Sequence, residues 1–372
     1  MKKLLVVGHA YLVPLNQDKW IAFADLHPEV EIQVVFPHRW PDVLCTLEGV
    51  RSKPRSNCSF MPLKAFKVGN EVRYGFYPIA LINLLRSFTP DKIYVEQGDN
   101  AFSYFQVIAL AKIWAPRAKF AFFSWVNWKP IWSLKYKIMW KWLEKCNLRL
   151  SQGAVLGNHD AQQLMKEKGF KGATIVLPQL GVDLEPTLLE SKVYKKTIYF
   201  VGRLADEKGI FLLHQAFINL QSKFPDWTLH FVGKGPAEKQ LKDLVVQNNA
   251  IVLHGSVPHT EVFNALKEAS IFVLPSYDTP LWREQFGHVL IEAMALSVPV
   301  IGTNGGEIAN VIGDAGLVAE QNNLESLQHC LERLMADEVL RKDFGHAGYK
   351  RVESNFTHQV IAEKTYQFLI KL

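Results

Sequence analysis

No apolar run in this chain approaches the length that crosses a bilayer. The longest, such as Leu4–Val7 and Ile271–Leu274, fall far short of the ~20 residues a spanning helix needs, so an integral membrane protein is not expected. Lys2 and Lys3 precede an apolar stretch, but Gly8, His9 and Pro14 interrupt it and no small-residue cleavage site follows. A signal peptide is therefore not expected. Cysteine is scarce: the four residues Cys45, Cys58, Cys146 and Cys330 are scattered without C-x-x-C spacing. Neither a zinc site nor a disulfide framework is implied, and a reducing cytoplasm fits. No D-x-D pattern occurs, no segment repeats, and no tract is of low complexity.

What is present is an ordinary globular balance, with 48% hydrophobic and 21% charged residues over 372 positions. That length predicts two domains. The net charge of +6 is unevenly placed. Residues 1–185 hold 24 Lys and Arg against 15 Asp and Glu, whereas residues 186–372 hold 18 against 21. A basic half beside a slightly acidic one predicts that the first half meets something anionic. Membrane phosphate, an anionic acceptor and nucleic acid all satisfy that condition.

Short β-branched and aromatic runs alternate with longer amphipathic segments. Strands are predicted at Lys3–Gly8, Val30–Phe36, Lys92–Glu96, Lys119–Ser124, Gly153–Leu156 and Thr174–Leu177. Helices are predicted between several of them, at Ala101–Trp114, Leu134–Cys146 and Asp160–Lys168. Ser59–Val68 and Glu71–Tyr77 read as a hairpin or irregular pair around the Gly69-Asn70 turn. The second half repeats the rhythm with strands at Thr197–Val201, Trp227–Val232, Ala250–Leu253, Ile271–Leu274 and Val300–Ile301. Helices follow at 209–222, 236–247, 260–268, 288–296, 324–335 and 338–352. Strands apolar on both faces and separated by helices predict parallel sheets covered on both sides. The polar stretch Leu180–Lys196 reads as the linker. Two doubly wound domains would present their strand carboxyl ends, and hence their ligands, to a shared cleft.

The strongest local signal is Glu284-Gln-Phe-Gly-His-Val-Leu-Ile-Glu292, two carboxylates with seven residues between them. A helix starting near Gly287 places Glu292 in its second turn and Glu284 in the loop before it. The amides of Gly287, His288 and Val289 then lie at a helix N-terminus, a site suited to a diphosphate. The second signal is Val201-Gly-Arg-Leu-Ala-Asp-Glu-Lys-Gly209. Arg203 and Lys208 follow a strand at the start of a helix, and both residue types suit phosphate.

Together these residues resemble the retaining nucleotide-sugar glycosyltransferases of family 4 (glycosyl transferases group 1), which have the GT-B fold. That fold is α/β, with two doubly wound parallel-sheet, Rossmann-like domains facing a central cleft. The resemblance is specific over residues 197–318. Phe231-Val-Gly-Lys-Gly-Pro236 resembles the family's glycine-rich turn, and Leu253-His-Gly-Ser-Val257 the strand end that presents backbone to the base. Ile271–Ser276, Asn304-Gly-Gly306 and Ala315-Gly-Leu317 resemble its flanking elements. The implied domains are an acceptor-binding domain over 1–185, a nucleotide-sugar-binding domain over 186–353, and a terminal helix over 354–372 that crosses back to the first. The implied donor contacts are Gly202, Gly233, Gly255, Val257, Phe286, Gly287, His288, Val289 and Glu292, with Glu292 on the ribose hydroxyls. Arg203 and Lys208 would neutralise the leaving diphosphate, and Glu284 would face the donor sugar. No cofactor and no metal are expected, because the Arg/Lys pair can replace a metal clamp.

The first domain departs from the family pattern. Its first loop, Gly8-His-Ala-Tyr-Leu-Val-Pro14, has one glycine where many members have a pair. His9 either contacts sugar or acceptor or is a capped loop histidine. Ser124-Trp-Val-Asn-Trp-Lys129 lacks the histidine many members place there, and Asn127 is the best substitute. Glu96 and Asp99 either bind acceptor hydroxyls or are solvated loop carboxylates.

Five of the ten tryptophans fall between residues 125 and 142. Trp128, Trp132, Tyr136 and Trp140 recur every four residues, and Lys137, Lys141, Lys145 and Arg149 do so one position on. A helix here would set an aromatic stripe beside a cationic one, the composition of an interfacial helix. The alternative packs the tryptophans inside and leaves the lysines solvated. The leading expectation is a cytoplasmic, peripheral hexosyltransferase of bacterial surface polysaccharide or glycolipid synthesis. It would use a nucleotide-sugar donor and a sugar or lipid-linked acceptor, and no nucleic acid. A sugar-nucleotide epimerase of the same fold and a catalytically silent nucleotide-sugar-binding subunit are the alternatives.

Overall fold

The computed structural model describes residues 1–41, 46–48, 55–128, 134–184, 195–246 and 248–372. Its contacts divide into two units: Met1–Gly181 with His358–Leu372, and Val182–Thr357. In the first unit the strands are β1 (Lys3–Val7), β2 (Glu31–Pro37), β3 (Arg39–Pro41), β4 (Thr46–Glu48), β5 (Cys58–Leu63) and β6 (Ala65–Phe66). They continue with β7 (Gly75–Phe76), β8 (Lys92–Val95), β9 (Lys119–Ser124), β10 (Gly153–Leu156) and β11 (Ala173–Val176). Seven of them form one sheet in the order β11-β10-β9-β8-β1-β2-β5, parallel throughout. Its helices are α1 (Asp18–Leu26), α2 (Pro78–Phe88), α3 (Phe102–Trp114), α4 (Leu134–Leu150) and α5 (His159–Glu167).

The second unit carries β12 (Thr197–Val201), β13 (Thr228–Val232), β14 (Ile251–Gly255), β15 (Ile271–Leu274), β16 (Val300–Thr303) and β17 (Leu317–Ala319). They form a parallel sheet in the order β14-β13-β12-β15-β16-β17. The helices are α6 (Ile210–Gln221), α7 (Glu238–Val245), α8 (His259–Glu268), α9 (His288–Ala295), α10 (Ile308–Ile312), α11 (Leu324–Ala336) and α12 (Glu338–Asn355). The two ends of this unit meet where the Val182 amide donates to the Phe356 carbonyl at 3.0 Å. The last helix, α13 (His358–Ile370), belongs to the first unit.

Alternation of side chains along each strand gives the first sheet two apolar faces, and each needs a cover. Leu5, Val7, Ile93, Val95, Phe120 and Phe122 pack with Leu81 and Leu85 of α2 and with Tyr104, Val107 and Ile108 of α3. Leu4, Val6, Val34, Tyr94 and Ala121 pack with Trp20 and Phe23 of α1 and with Ile361 and Leu369 of α13. α13 is fastened to α1 by His27, whose ring stacks on Tyr366 at 3.6 Å and pairs with Glu363 at 2.9 Å.

Two regions differ from expectation. The run Ser59–Val68 is split, and the irregular pair around Gly69-Asn70 is confined to its end. Its first part is β5, an edge strand parallel to β2, and the two-residue strands β6 and β7 on either side of the turn pair antiparallel. β17 was unread because it has three residues with Val318 exposed, too short a stretch to show a pattern.

Candidate functional site

In the second sheet the chain builds outward from β12 to β14, then returns to lay β15 on the other side of β12. In open α/β sheets ligands bind outside the strand carboxyl ends at such a reversal. Arg203 and Lys208 lie in the loop after β12, and Ser276 and Glu284 in the segment after β15. The fold therefore brings Lys208 and Glu284 together across the reversal. Lys208 Nζ lies 2.6 Å from Glu284 Oε2, and Ser276 Oγ donates to the same oxygen at 3.2 Å. The Lys208 ammonium also stands over the Trp282 ring at 4.6 Å, a cation–π contact. The two side chains are only 16% and 12% exposed, so the pair is largely withdrawn from water.

Backbone ties hold both loops. The Tyr277 amide donates to the Glu207 carbonyl at 3.0 Å, and the Tyr277 hydroxyl donates to Asp206 at 2.7 Å. Burial first, and then the hydrogen bond to Asp206 and its charge, push that phenol up to about 12. The Glu307 amide donates to the Glu284 carbonyl at 3.1 Å. Asp278 accepts from the Gly306 amide at 3.0 Å and pairs with Arg283 Nε at 3.3 Å. Arg203 is half exposed and pairs with Glu207.

At the same carboxyl edge of this sheet the ends of β12, β13 and β14 line an open cavity of about 270 Å³, bordered among others by Gly202, Arg203, Gly233, Lys234, Ser256 and Val257. The strand ends are laced together: the Gly202 amide donates to Val232 at 3.0 Å and the Gly233 amide to Gly255 at 2.7 Å. A side chain at position 233 would put its Cβ 1.9 Å from the Gly202 carbonyl oxygen, and its φ is +142°. Only glycine permits that approach. Gly287 caps α9 at φ +78°, so His288 and Val289 open the helix and Glu292 lies half-buried one turn on. Phe286 is buried, with its ring 5.7 Å from Phe356.

The first sheet has its own reversal, between β1 and β8. Gly8 follows β1 in extended backbone, its amide donating to Val35 at 3.0 Å. His9 Nδ1 is 2.5 Å from the Gln97 amide, its Nε2 is 3.4 Å from Glu71, and its ring lies on Trp40 at 4.6 Å. The bond to His9 holds the Glu71 carboxyl below its usual range. Asn127 is buried.

Two expectations are corrected. Glu96 is not a solvated loop carboxylate: its side chain is wholly buried, 2.5 Å from Lys19 Nζ, and it accepts from Gln179 at 2.7 Å. Burial also pulls the Lys19 ammonium below its usual range, against the opposing pull of Glu96. Asp99 is likewise buried, against Lys168 at 2.5 Å. Trp140 is not part of a surface stripe but is 5% exposed and packed inward. Trp128 is exposed at 38%, and Lys141 and Lys145 are exposed. Lys137 lies on α4, and Trp132 falls outside the described residues.

Sequence reasoning missed Ser276, Trp282, Lys234 and Gln97 as partners. Trp282-Arg283 directly before Glu284, and a lysine between Gly233 and Gly235, were the available signals. Among the described residues, no three His, Cys, Asp or Glu side chains cluster closely enough to hold a metal ion.

Residues 187–351 match the family described as Glycosyl transferases group 1. The Staphylococcus aureus capsular polysaccharide biosynthesis glycosyltransferase CapM is 33% identical over 62% of this chain and 58% of its own. The putative teichuronic acid biosynthesis glycosyltransferase TuaC of Bacillus subtilis is 35% identical over 42% of this chain and 37% of its own. The chain thus spans less than two thirds of the length of these curated relatives. The structure of HepE from Anabaena, solved with UDP, superposes with a TM-score of 0.69 at 13% identity over the whole of both chains. The fold is GT-B, two Rossmann-like α/β domains each built on a parallel sheet.

Proposed function

We propose that this protein is a retaining glycosyltransferase that moves a hexose from a nucleotide diphosphate sugar to a polysaccharide or lipid-linked acceptor. The setting is bacterial surface polysaccharide or glycolipid synthesis, with the enzyme cytoplasmic and peripheral to the inner face of the membrane. One observation carries the reading: an open cavity at the ends of β12, β13 and β14, with Gly202 and Gly233 in its wall, carries Arg203 and Lys234, and the Lys208–Glu284 pair closes the reversal at the same edge of the sheet. Gly202, Gly233 and Gly255 let a nucleotide approach backbone. The half-buried Glu292 takes the ribose hydroxyls, and the start of α9 adds a favourable dipole for phosphate.

In the reaction the bond between the anomeric carbon and the diphosphate oxygen breaks, and the acceptor oxygen bonds to that carbon from the same face. The acceptor's proton passes to the departing phosphate. Arg203 and Lys208 meet the negative charge that grows on the diphosphate, without a metal being invoked. Glu284 orients the sugar and supports its cationic character. His9 and Asn127, in the first unit, are assigned to sugar or acceptor.

Calorimetric titration of UDP, GDP and ADP into the protein and into Arg203→Ala and Glu292→Ala tests this reading. Micromolar binding of one nucleotide, weakened at least tenfold in both variants, is expected. Binding of none of the three by the folded protein overturns the donor site.

A further inference from the structure

Helices α2, α3 and α4 lie side by side over one face of the first sheet, α3 between the other two. Their inward faces follow helical spacing: Trp140, Leu143 and Asn147 of α4 are buried, as are Leu81, Leu84, Leu85 and Phe88 of α2. The outward faces do not show the polar composition expected of a solvated helix layer. Ile79 of α2 is 76% exposed, Ile113 of α3 67%, and Ile138 and Trp142 of α4 76% and 56%. Tyr77, just before α2, and Met139 are exposed as well. Trp142 of α4 meets Phe105 of α3 in a tilted ring contact at 5.4 Å.

The charges on this layer have one sign. α2 and α3 contain no Asp or Glu at all, and α4 contains one, Glu144. Glu144 is turned away to Lys168, 2.5 Å off. Among the described side chains of these helices, the exposed charges are Arg86, Lys112, Lys141, Lys145 and Arg149. Arg86 lies over the Trp114 ring at 4.8 Å, its stem along apolar surface. An apolar layer dotted with cations and free of outward acids matches the headgroup zone of an anionic bilayer, with rings and aliphatics at its edge and ammonium groups on phosphate. No described helix is long and apolar enough to cross a membrane, so the contact is with its surface.

We infer that the outer face of α2, α3 and α4 docks this protein on an anionic lipid surface. The inference rests on the peripheral location proposed above and not on the donor site, so nucleotide binding and lipid binding can fail separately. It also places the docking residues differently from the sequence pattern: Ile138, Met139 and Trp142 face out where Trp140 faces in.

The test is co-sedimentation with vesicles of phosphatidylcholine alone and of phosphatidylcholine with phosphatidylglycerol. Binding is expected only to the anionic vesicles and is expected to weaken with salt. Lys141→Gln with Lys145→Gln weakens it roughly thirtyfold, at about fivefold per cation. Ile138→Asp with Trp142→Asp abolishes it, and Lys371→Gln, just past the end of α13 on the other face of the sheet, leaves it unchanged. These positions are exposed, so the melting temperature serves as the folding check. As a second readout, brominated lipid quenches tryptophan emission of the wild type and loses most of that effect in Trp142→Phe. Equal binding to neutral vesicles, no binding, or unchanged binding of the α4 variants overturns the inference. So does a dimer in vesicle-free sedimentation that Ile138→Asp dissociates, because the face would then be covered by a second copy.

Discussion

Glu284 is the partner Lys208 must leave before it can meet a phosphate. If the donor site is where proposed, neutralising the two ends of this pair moves nucleoside diphosphate binding in opposite directions. At 2.6 Å and an effective dielectric near 20, the gross attraction is about 6 kcal/mol. Most of that offsets the cost of withdrawing both charges from water, and the net value for a pair this enclosed lies between an exposed bridge and a buried one. With about 1 kcal/mol given up when a phosphate takes Lys208, Glu284→Gln tightens diphosphate binding about fivefold. Lys208→Met removes a charge-assisted bond of ~1.5–3 kcal/mol and weakens binding about 10- to 150-fold. The assay is calorimetry with the nucleoside diphosphate lacking its sugar, so that Glu284's proposed sugar contact does not enter. Turnover with the full donor falls in both variants. If Glu284→Gln loses diphosphate binding in parallel with Lys208→Met, Glu284 holds the lysine in place for the ligand instead of competing with it, and the reasoning is refuted.

Lys19→Met leaves the Glu96 carboxylate buried without its cation and is expected to cost about 3–5 kcal/mol, read as a fall in melting temperature. Adding Glu96→Gln restores most of the loss, and a silent single variant would show that this pair does not tie the first sheet together. In the second unit, burial and then the neighbouring His254 depress His230 to about 4. The unfolded chain takes up its proton near 6.5, so the folded state loses stability as pH falls from about 6.5 toward 4. Unscreened, that shift is worth ~3 kcal/mol, and the half-exposed ring reduces it to about 1–2 kcal/mol. Melts across this window should show a shallower slope in His230→Asn than in the wild type, and equal slopes would discount the histidine.

The central strands were legible because burial on both faces demands unbroken apolar runs, as at Ile271–Leu274 and Lys119–Ser124. The start of α9 was legible because Gly287 ends a loop and an apolar helical spacing begins immediately after it. The partner of each charge was not. Lys208 and Glu284 are 76 positions apart, and only the sheet order brings them together. Position along the chain likewise marks Glu96 as a loop carboxylate, while its ion pair comes from α1, 77 positions earlier. On α4 the error was one of phase. Trp140 and Trp142 both follow lysine-rich spacing, and which of the two faces inward is decided by the packing of Leu143 and Asn147 with the first unit.

The two units solve the same problem at their reversals. At a reversal the loops that leave neighbouring strands come from distant parts of the chain and lie beyond the regular hydrogen-bond ladder of the sheet. In the second unit Lys208 meets Glu284 across β12 and β15, and the Tyr277 amide meets Glu207 beside them. In the first, His9 meets Gln97 across β1 and β8, with Trp40 beneath the ring. In each case side-chain contacts add to what the backbone provides between the loops. Under the proposed function a group that enters at that point competes for bonds already made, and the residues assigned to the ligand are also the ones that fasten the loops. That coupling is why the binding of the diphosphate alone, with Lys208 and Glu284 changed one at a time, distinguishes a lysine released by its ligand from one held in place for it.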